Sequence, residues 1–339
     1  MARSKSTSSF AKESLIANVD EWTNFIRNHP DASAFHEIDF LELMQQTSGS
    51  EAYVITERRS DDNALLSVMV LTVQKERGIK GWLSNRAIVY GGPLWTSESN
   101  QHEFLLALDG WVGRHSIYLE IRNFIDFHAY KPIFDVHQYK YLPYVNFIMP
   151  IGDSSVETLI QKMNYNRRRE IRISLEQGAT VTSTEDENDI REGFEILKDL
   201  YHNRVKLPLP DFAFFSALSK KDIGKVFVVK HENNVIGASF CVFNRNGIFT
   251  WYYCGKRDYH KKIFPTHLAI LGAIDFAVNN RLKLLDFMGA GLRDAEYGVR
   301  KYKQEFAGEL VEFGRFRKVY APMRYRLGVF AIQMMQKLK

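Results

Sequence analysis

The apolar positions of this chain fall into two rhythms: spacings of three and four that mark helices, and alternations of two that mark strands. Residues 1–14 carry neither and, being rich in Ser, Lys and Thr, are expected to form a flexible tail. Ile16, Val19, Trp22, Phe25 and Ile26 share one face of a helix that must stop before Pro30, and a second helix is expected over Asp39 to Gln46. Strands follow at Glu51 to Arg59 and Ala64 to Lys75 across the polar turn Ser60-Asp61-Asp62-Asn63, then at Gly78 to Trp82 and Ile88 to Gly92. A helix over Gln101 to Gly113 and a strand over Ser116 to Ile121 complete an α/β domain placed at residues 15–150.

A second domain is placed at residues 151–318, after the strand VNFIMPIG. It reads as one long helix from Val156 towards Gln177, the strand ATVTST, a helix over Glu187 to Tyr201, and a rim held extended by Pro208 and Pro210. Strands at Lys225 to Lys230, Val235 to Asn244 and Ile248 to Gly255 precede a helix over Thr266 to Asn280. Leu284 to Met288 is a buried strand that Gly289-Ala290-Gly291 should stop in a turn. From Tyr297 onward Val299, Tyr302 and Phe306 recur at helical spacing, with Arg300, Lys301 and Lys303 between them. Gly308 breaks that helix, and Glu309 to Phe316 alternates as a strand returning beside the first. Residues 319–339 are a basic amphipathic helix with Tyr325, Val329, Ile332, Met335 and Leu338 on one side.

Composition adds bounds. At 339 residues, 45% hydrophobic and 25% charged, the chain can bury two cores. A net charge of +5 tolerates an anionic partner without marking a dedicated nucleic-acid binder. Cys241 and Cys254 are too few for a disulfide framework, and no histidine spacing suits a metal. With no signal peptide and no apolar run long enough for a bilayer, the expected location is cytoplasmic.

The richest stretch is Leu284 to Phe316. On spacing alone its cations are either a solvated face, or they line a crevice and meet an anionic substrate or a developing oxyanion. The run DFMGAG followed by YGVRKYKQEFAGELVEFGRF resembles the signature of the FemAB-like aminoacyltransferases, a DF-glycine turn followed by G-x-x-x-[FY]-K-x-x-F-x-G and a strand, with Tyr302 where phenylalanine is usual. AFHEIDF, YGGPLW and YLEIRNF are similar to the first domain of the same family.

That resemblance implies an α/β (α+β) fold of two tandem domains like the acyl-CoA N-acetyltransferase (GNAT) fold, each a mixed, mostly antiparallel sheet flanked by helices. It implies that residues 319–339 return to pack on the first domain, a membrane-surface helix being the alternative. It also implies an aminoacyl-tRNA donor and a peptidoglycan precursor as acceptor; apart from the resemblance, no cofactor and no metal are expected, and the cytoplasmic placement allows peripheral contact with the inner membrane face. Lys303 matches the family's [FY]-K position, where it neutralises charge beside the aminoacyl ester; Arg300 would help, and Asp286 is the candidate base. Arg168, Arg169, Tyr201 and Arg204 are candidates for the acceptor's phosphates and carboxylates, with Trp251, Tyr252, Gly289, Gly291 and Tyr297 lining the crevice. Acyl-CoA transferases carry a glycine-rich turn ahead of the helix that meets the pyrophosphate. Here Arg257, Lys261 and Lys262 stand in that segment without glycine, which suits a looser polyanion. The alternatives are a CoA-dependent N-acetyltransferase and a non-catalytic member of the fold.

Overall fold

The computed structural model describes residues 8–13, 18–75, 79–294 and 298–337. They divide into two compact units, Met1–Pro143 with Phe313–Lys339, and Tyr144–Glu312. The first unit runs β1 (Ser8–Glu13), α1 (Val19–Asn28), a 3-10 turn (Ala34–His36), α2 (Ile38–Gln46), β2 (Ser50–Arg59), β3 (Leu65–Gln74), α3 (Ile79–Ser84), β4 (Arg86–Tyr90), β5 (Leu94–Trp95), α4 (Gln101–His115), β6 (Tyr118–Arg122), α5 (Lys131–Val136) and β7 (Lys140–Leu142). Two expectations fail here. Ser8–Glu13 is a strand, pairing antiparallel with β2 from Arg59 back to Val54, because a long hairpin offered it an edge. Where a strand is expected over Gly78 to Trp82, the described residues from Ile79 form a helical turn, Ile79–Ser84.

The second unit runs β8 (Tyr144–Pro150), α6 (Val156–Lys162), α7 (Tyr165–Glu176), β9 (Thr180–Ser183), α8 (Glu187–Leu200), α9 (Phe212–Leu218), β10 (Gly224–His231), β11 (Asn234–Asn244), β12 (Gly247–Gly255), α10 (Pro265–Asn279), β13 (Leu284–Leu292), α11 (Gly298–Gln304) and β14 (Glu309–Val311). The long helix from Val156 is two helices. Met163 and Asn164 leave helical angles, and the Asn164 side chain accepts from Asn166 N–H at 2.9 Å to start α7. The rim begins as a π-helical turn, Tyr201–Val205, closed by Lys206 at φ +55°. The strand expected over Glu309 to Phe316 divides: β14 pairs with β8, and the chain re-enters the first unit as β15 (Arg315–Val319) and α12 (Pro322–Lys337).

Each unit holds one sheet. The first has the order β1-β2-β3-β4-β6-β15-β7 with β5 on β3; the second is β14-β8-β13-β12-β11-β10-β9. Among the described residues both are antiparallel except for one parallel pair apiece, β4 with β6 across α4 and β12 with β13 across α10. These are the two strand-helix-strand crossovers, and a parallel pair needs such a crossover. In the second unit α10 is buried on most of its surface, from Leu268 through Ile274, and with Leu285, Phe287 and Phe306 it forms the core. In the first unit Phe316 of β15 stacks on Phe134 at 4.0 Å inside the core. Cys241 and Cys254 are buried free thiols, pushed up to about 12 by that burial.

Candidate active site

The two parallel pairs differ. In the first unit β4 and β6 are zipped from Arg86 opposite Tyr118 to Tyr90 opposite Arg122, and Gly91 N–H extends the ladder to Arg122 O at 2.8 Å. In the second unit β12 and β13 are in register only at Gly247–Leu284, Ile248–Leu285 and Phe249–Asp286. Both strands run on, to Gly255 and Leu292, without pairing to each other. The local cause lies in β12, where Tyr252 faces Phe240 but Phe249 faces Val242, a bulge at Thr250 and Trp251 that turns the strand away. Thr250 Oγ1 donates to Asp286 O at 3.4 Å at the point of parting. On the other side β13 slips its register against β8 twice, with Met288 at φ +62° and Gly291 at +83°. The glycines expected to end this strand lie within it and bend it. Beyond Phe249 and Asp286 the two strands part, and they form the two sides of a wedge.

At its apex, Leu285 and Phe287 point into the core with α10, so Asp286 faces the other side of the sheet. It is 1% exposed, accepts from Asn146 Nδ2 at 3.1 Å and takes the Met288 N–H at 2.5 Å. That last bond holds Met288 in a left-handed conformation that a residue with a side chain seldom adopts. Burial pushes the Asp286 carboxyl up to about 6, against the pull of these two donors and of the Lys303 charge.

Lys303 is 3% exposed, and its ammonium donates to Phe287 O, to Met288 O at 3.0 Å and to Gly289 O at 2.9 Å. An ammonium has three donors, and three consecutive carbonyls take them. Burial lowers its pKa to about 8, partly offset by Asp286. Arg300, one turn earlier on α11, donates to Arg293 O at 2.7 Å, to Ala290 O at 3.3 Å and to Leu292 O. The basic face of α11 therefore grips the carbonyls of the bent end of β13.

The structure brings Asp286, Gly289, Gly291, Arg300 and Lys303 into this one corner. A second group forms an aromatic wall: Tyr201 lies 6.0 Å from Tyr252, which meets Phe215 at 5.2 Å, and Trp251 meets Phe214 at 5.4 Å. The remaining candidates lie on outer surfaces. Arg168 is turned back onto Gln161 O at 2.9 Å, Arg169 and Arg204 are exposed, and Arg257, Lys261 and Lys262 are exposed on the segment before α10. Tyr297 lies outside the described residues. Among the described residues no group of His, Cys, Asp and Glu could hold a metal ion, and no helix is long and apolar enough to cross a membrane.

One cluster escaped the sequence reading. Arg167, 2% exposed, pairs with Glu305 at 2.6 Å, contacts His267, and lies 4.6 Å and 4.5 Å from the Tyr302 and Phe306 ring centroids. His267 also meets Tyr302 Oη at 3.2 Å, and burial with the Arg167 charge lowers its pKa to about 3. This neutral histidine and buried arginine lock α7 and α10 onto α11. The signal was spacing: Arg167, Ile171 and Ser174 occupy the buried face of α7 at intervals of four and three, which singles Arg167 out of its run of arginines.

No family model matches the chain, and no curated protein does. Solved structures do. FemX superposes with a TM-score of 0.69 at 15% identity over 94% of this chain and 99% of FemX. The C-terminal domain of a putative lysylphosphatidylglycerol synthetase from Agrobacterium fabrum gives 0.59 at 9% identity over 92% and 94%. A tandem GNAT protein from the clavulanic acid biosynthesis pathway gives 0.58 at 10% identity over 92% and 98%. The chain shares the fold of these structures, two GNAT-like units in tandem.

Proposed function

We propose that this chain is an acyltransferase of the aminoacyl type, carrying an amino acid from aminoacyl-tRNA to an amine of a peptidoglycan precursor or related envelope acceptor. The observation that carries this reading is the asymmetry of the two parallel pairs. The crossover strands are closed in the first unit and open in the second, and only an open pair leaves room for an acyl group and an attacking amine beside the sheet. The match to the full length of FemX in fold favours this class.

An aminoacyl ester is already activated, so the transfer needs orientation, loss of one amine proton and stabilisation of the tetrahedral oxyanion. The amine nitrogen bonds to the ester carbonyl carbon, the ribose oxygen leaves with the bonding pair, and the proton lost by the amine balances that oxygen. Asp286, at the wedge apex with its carboxyl near 6, is ionised at neutral pH and is the proton acceptor within the wedge. Lys303 and Arg300 are positioning residues: they fix the carbonyls of residues 287–290, 292 and 293 and so set the shape of one wall. Tyr201, Trp251 and Tyr252 form the other wall, and the exposed Arg257, Lys261 and Lys262 offer charge to the donor's phosphates.

Acetyl-CoA as donor is the second reading, and two features weigh against it. α10 opens on Pro265, which has no N–H to give a pyrophosphate. The end of β12 also packs so closely on its first turn that a Cβ on Gly255 would lie 2.5 Å from Thr266 Oγ1. The test is transfer of radiolabelled amino acids from a charged total-tRNA pool to peptidoglycan-precursor peptides, with labelled acetyl-CoA in parallel. Label from tRNA that disappears in Asp286→Ala supports the reading; label from acetyl-CoA alone overturns it in favour of the second.

A further inference from the structure

Helix α12 has two faces. On one, Gly328 is buried where an added Cβ would come within 2.8 Å of Leu83 O of α3, and the Tyr325 ring meets Tyr118 of β6 edge-on at 5.3 Å. On the other, Met323, Leu327, Phe330 and Met334 follow one another at spacings of four, three and four and are 79%, 51%, 61% and 42% exposed. At 100° per residue that spacing confines them to one narrow stripe pointing away from Gly328. Trp82 of α3, 55% exposed, stands at its edge, with the Arg324 guanidinium 5.9 Å from the ring centroid.

Large apolar side chains left open in a row mark a docking surface, and the charge around this one says what it docks to. From Phe313 to Lys339 the sequence has seven Lys or Arg and no Asp or Glu. Arg315 and Arg317 are used on Glu120 and Lys318 on Asp109, all inside the first unit. No carboxylate among the described residues pairs with Arg324 or Arg326, which the helical geometry puts on opposite flanks of the stripe. An apolar stripe between basic flanks, with no acid on the helix, is what an anionic bilayer surface selects. The stripe is about 16 Å long at 1.5 Å per residue, so it lies along such a surface and does not cross it.

We propose that α12, with Trp82, is the surface by which this protein docks on an anionic lipid bilayer, with Met323, Leu327, Phe330 and Met334 at the headgroup–acyl boundary and Arg324 and Arg326 among the lipid phosphates. The acyl-transfer reading is not a premise, since the helix belongs to the first unit and its test needs no activity.

The full chain is mixed with vesicles of phosphatidylcholine alone or of equimolar phosphatidylcholine and phosphatidylglycerol, and bound protein is measured by flotation. Binding is expected only to the anionic vesicles, weakening as salt rises, and falling about tenfold or more in Leu327→Gln/Phe330→Gln. Both side chains are exposed, so circular dichroism should show the variant folded. Brominated phosphatidylglycerol should quench wild-type fluorescence far more than that of Trp82→Phe. Absence of flotation, or flotation unchanged in the double variant, overturns the proposal. So does a wild type that is a dimer by sedimentation and becomes monomeric in the double variant, because a second copy would then cover the stripe.

Discussion

At the scale of single residues, the site depends on side chains that act on the backbone. Lys303 is the clearest case, because three carbonyls converge on one ammonium. Lys303→Met leaves them without that donor, at roughly 1–3 kcal/mol for each buried group left unsatisfied, so urea unfolding should register a loss of about 3 kcal/mol or more. Lys303→Arg should not restore it, because a planar guanidinium presents its donors in a fork and cannot aim three at successive carbonyls. An arginine variant as stable as the wild type would show that charge alone meets the need. Asp286 is tested by pH. Its folded pKa near 6 lies above the ordinary carboxylate value of 3.8, so the proton it takes from the amine is accepted only once pH exceeds about 6. The rate of transfer should rise through that value in the wild type, and Asp286→Asn, which keeps an oxygen for Met288 N–H, should lose the rise along with most of the rate. The same shift makes the ionised form a burden on folding at neutral pH, relieved as pH falls from 6 towards 4, so the asparagine variant should unfold no more easily than the wild type at pH 7.

At the scale of elements, the return of the chain into the first sheet is held by charge as well as by pairing. β15 brings Arg315 and Arg317 to Glu120 of β6, which Arg122 also meets, and Glu120 has only 4% of its side chain exposed. Burial alone would push this carboxyl up; the three guanidiniums overcome that and hold it well below its ordinary value of 4.5. A carboxyl depressed in the folded state stabilises above its unfolded pKa and ceases to do so as pH falls through the folded one. Glu120→Gln, which removes the buried negative charge that three guanidiniums share, should therefore cost about 3–5 kcal/mol at pH 7. Thermal unfolding should show the gap from the wild type narrowing below about pH 4. Much of this architecture was legible in the sequence because apolar periodicity reports which face is buried: β3, buried on both faces, and α8, with Ile190, Phe194 and Leu197 inward, fall where their patterns put them. Periodicity does not report what interrupts an element without changing its apolar count. Asn164 divides α6 from α7 through one side-chain cap, and the bulge at Thr250 and Trp251 moves a strand by one extra residue in an aromatic run. Lys303 was found through its motif, but its carbonyl partners depend on Met288 being left-handed, which no side-chain pattern announces.

At the scale of the whole molecule, the order of the chain and the order of the fold disagree, and that disagreement can be tested. All seven strands of the second sheet lie between Tyr144 and Glu312, whereas the first sheet needs β15 from beyond that span. β15 sits between β6 and β7, pairing with both, and supplies Phe316 to the core stack on Phe134. Lys318 within it and Tyr320 just after it bind Asp109 at 2.6 Å each. Entry to the strand depends on Gly314, at φ +67° with the Tyr141 ring where a Cβ would go, so even Gly314→Ala should disturb this seam. Ending the chain at Glu312 removes the strand, two partners of Glu120 and two partners of Asp109, and it leaves β6 and β7 with unpaired edges. Limited proteolysis of the truncated protein should degrade residues 1–143 and leave a resistant fragment close to Tyr144–Glu312. Adding a peptide of residues 313–339 should restore protection to the first unit, since the peptide carries β15 with its arginines. If residues 1–143 resist protease as well without that segment as with it, β15 is an ornament of the first sheet, and the charge and packing assigned to it do not hold that unit together.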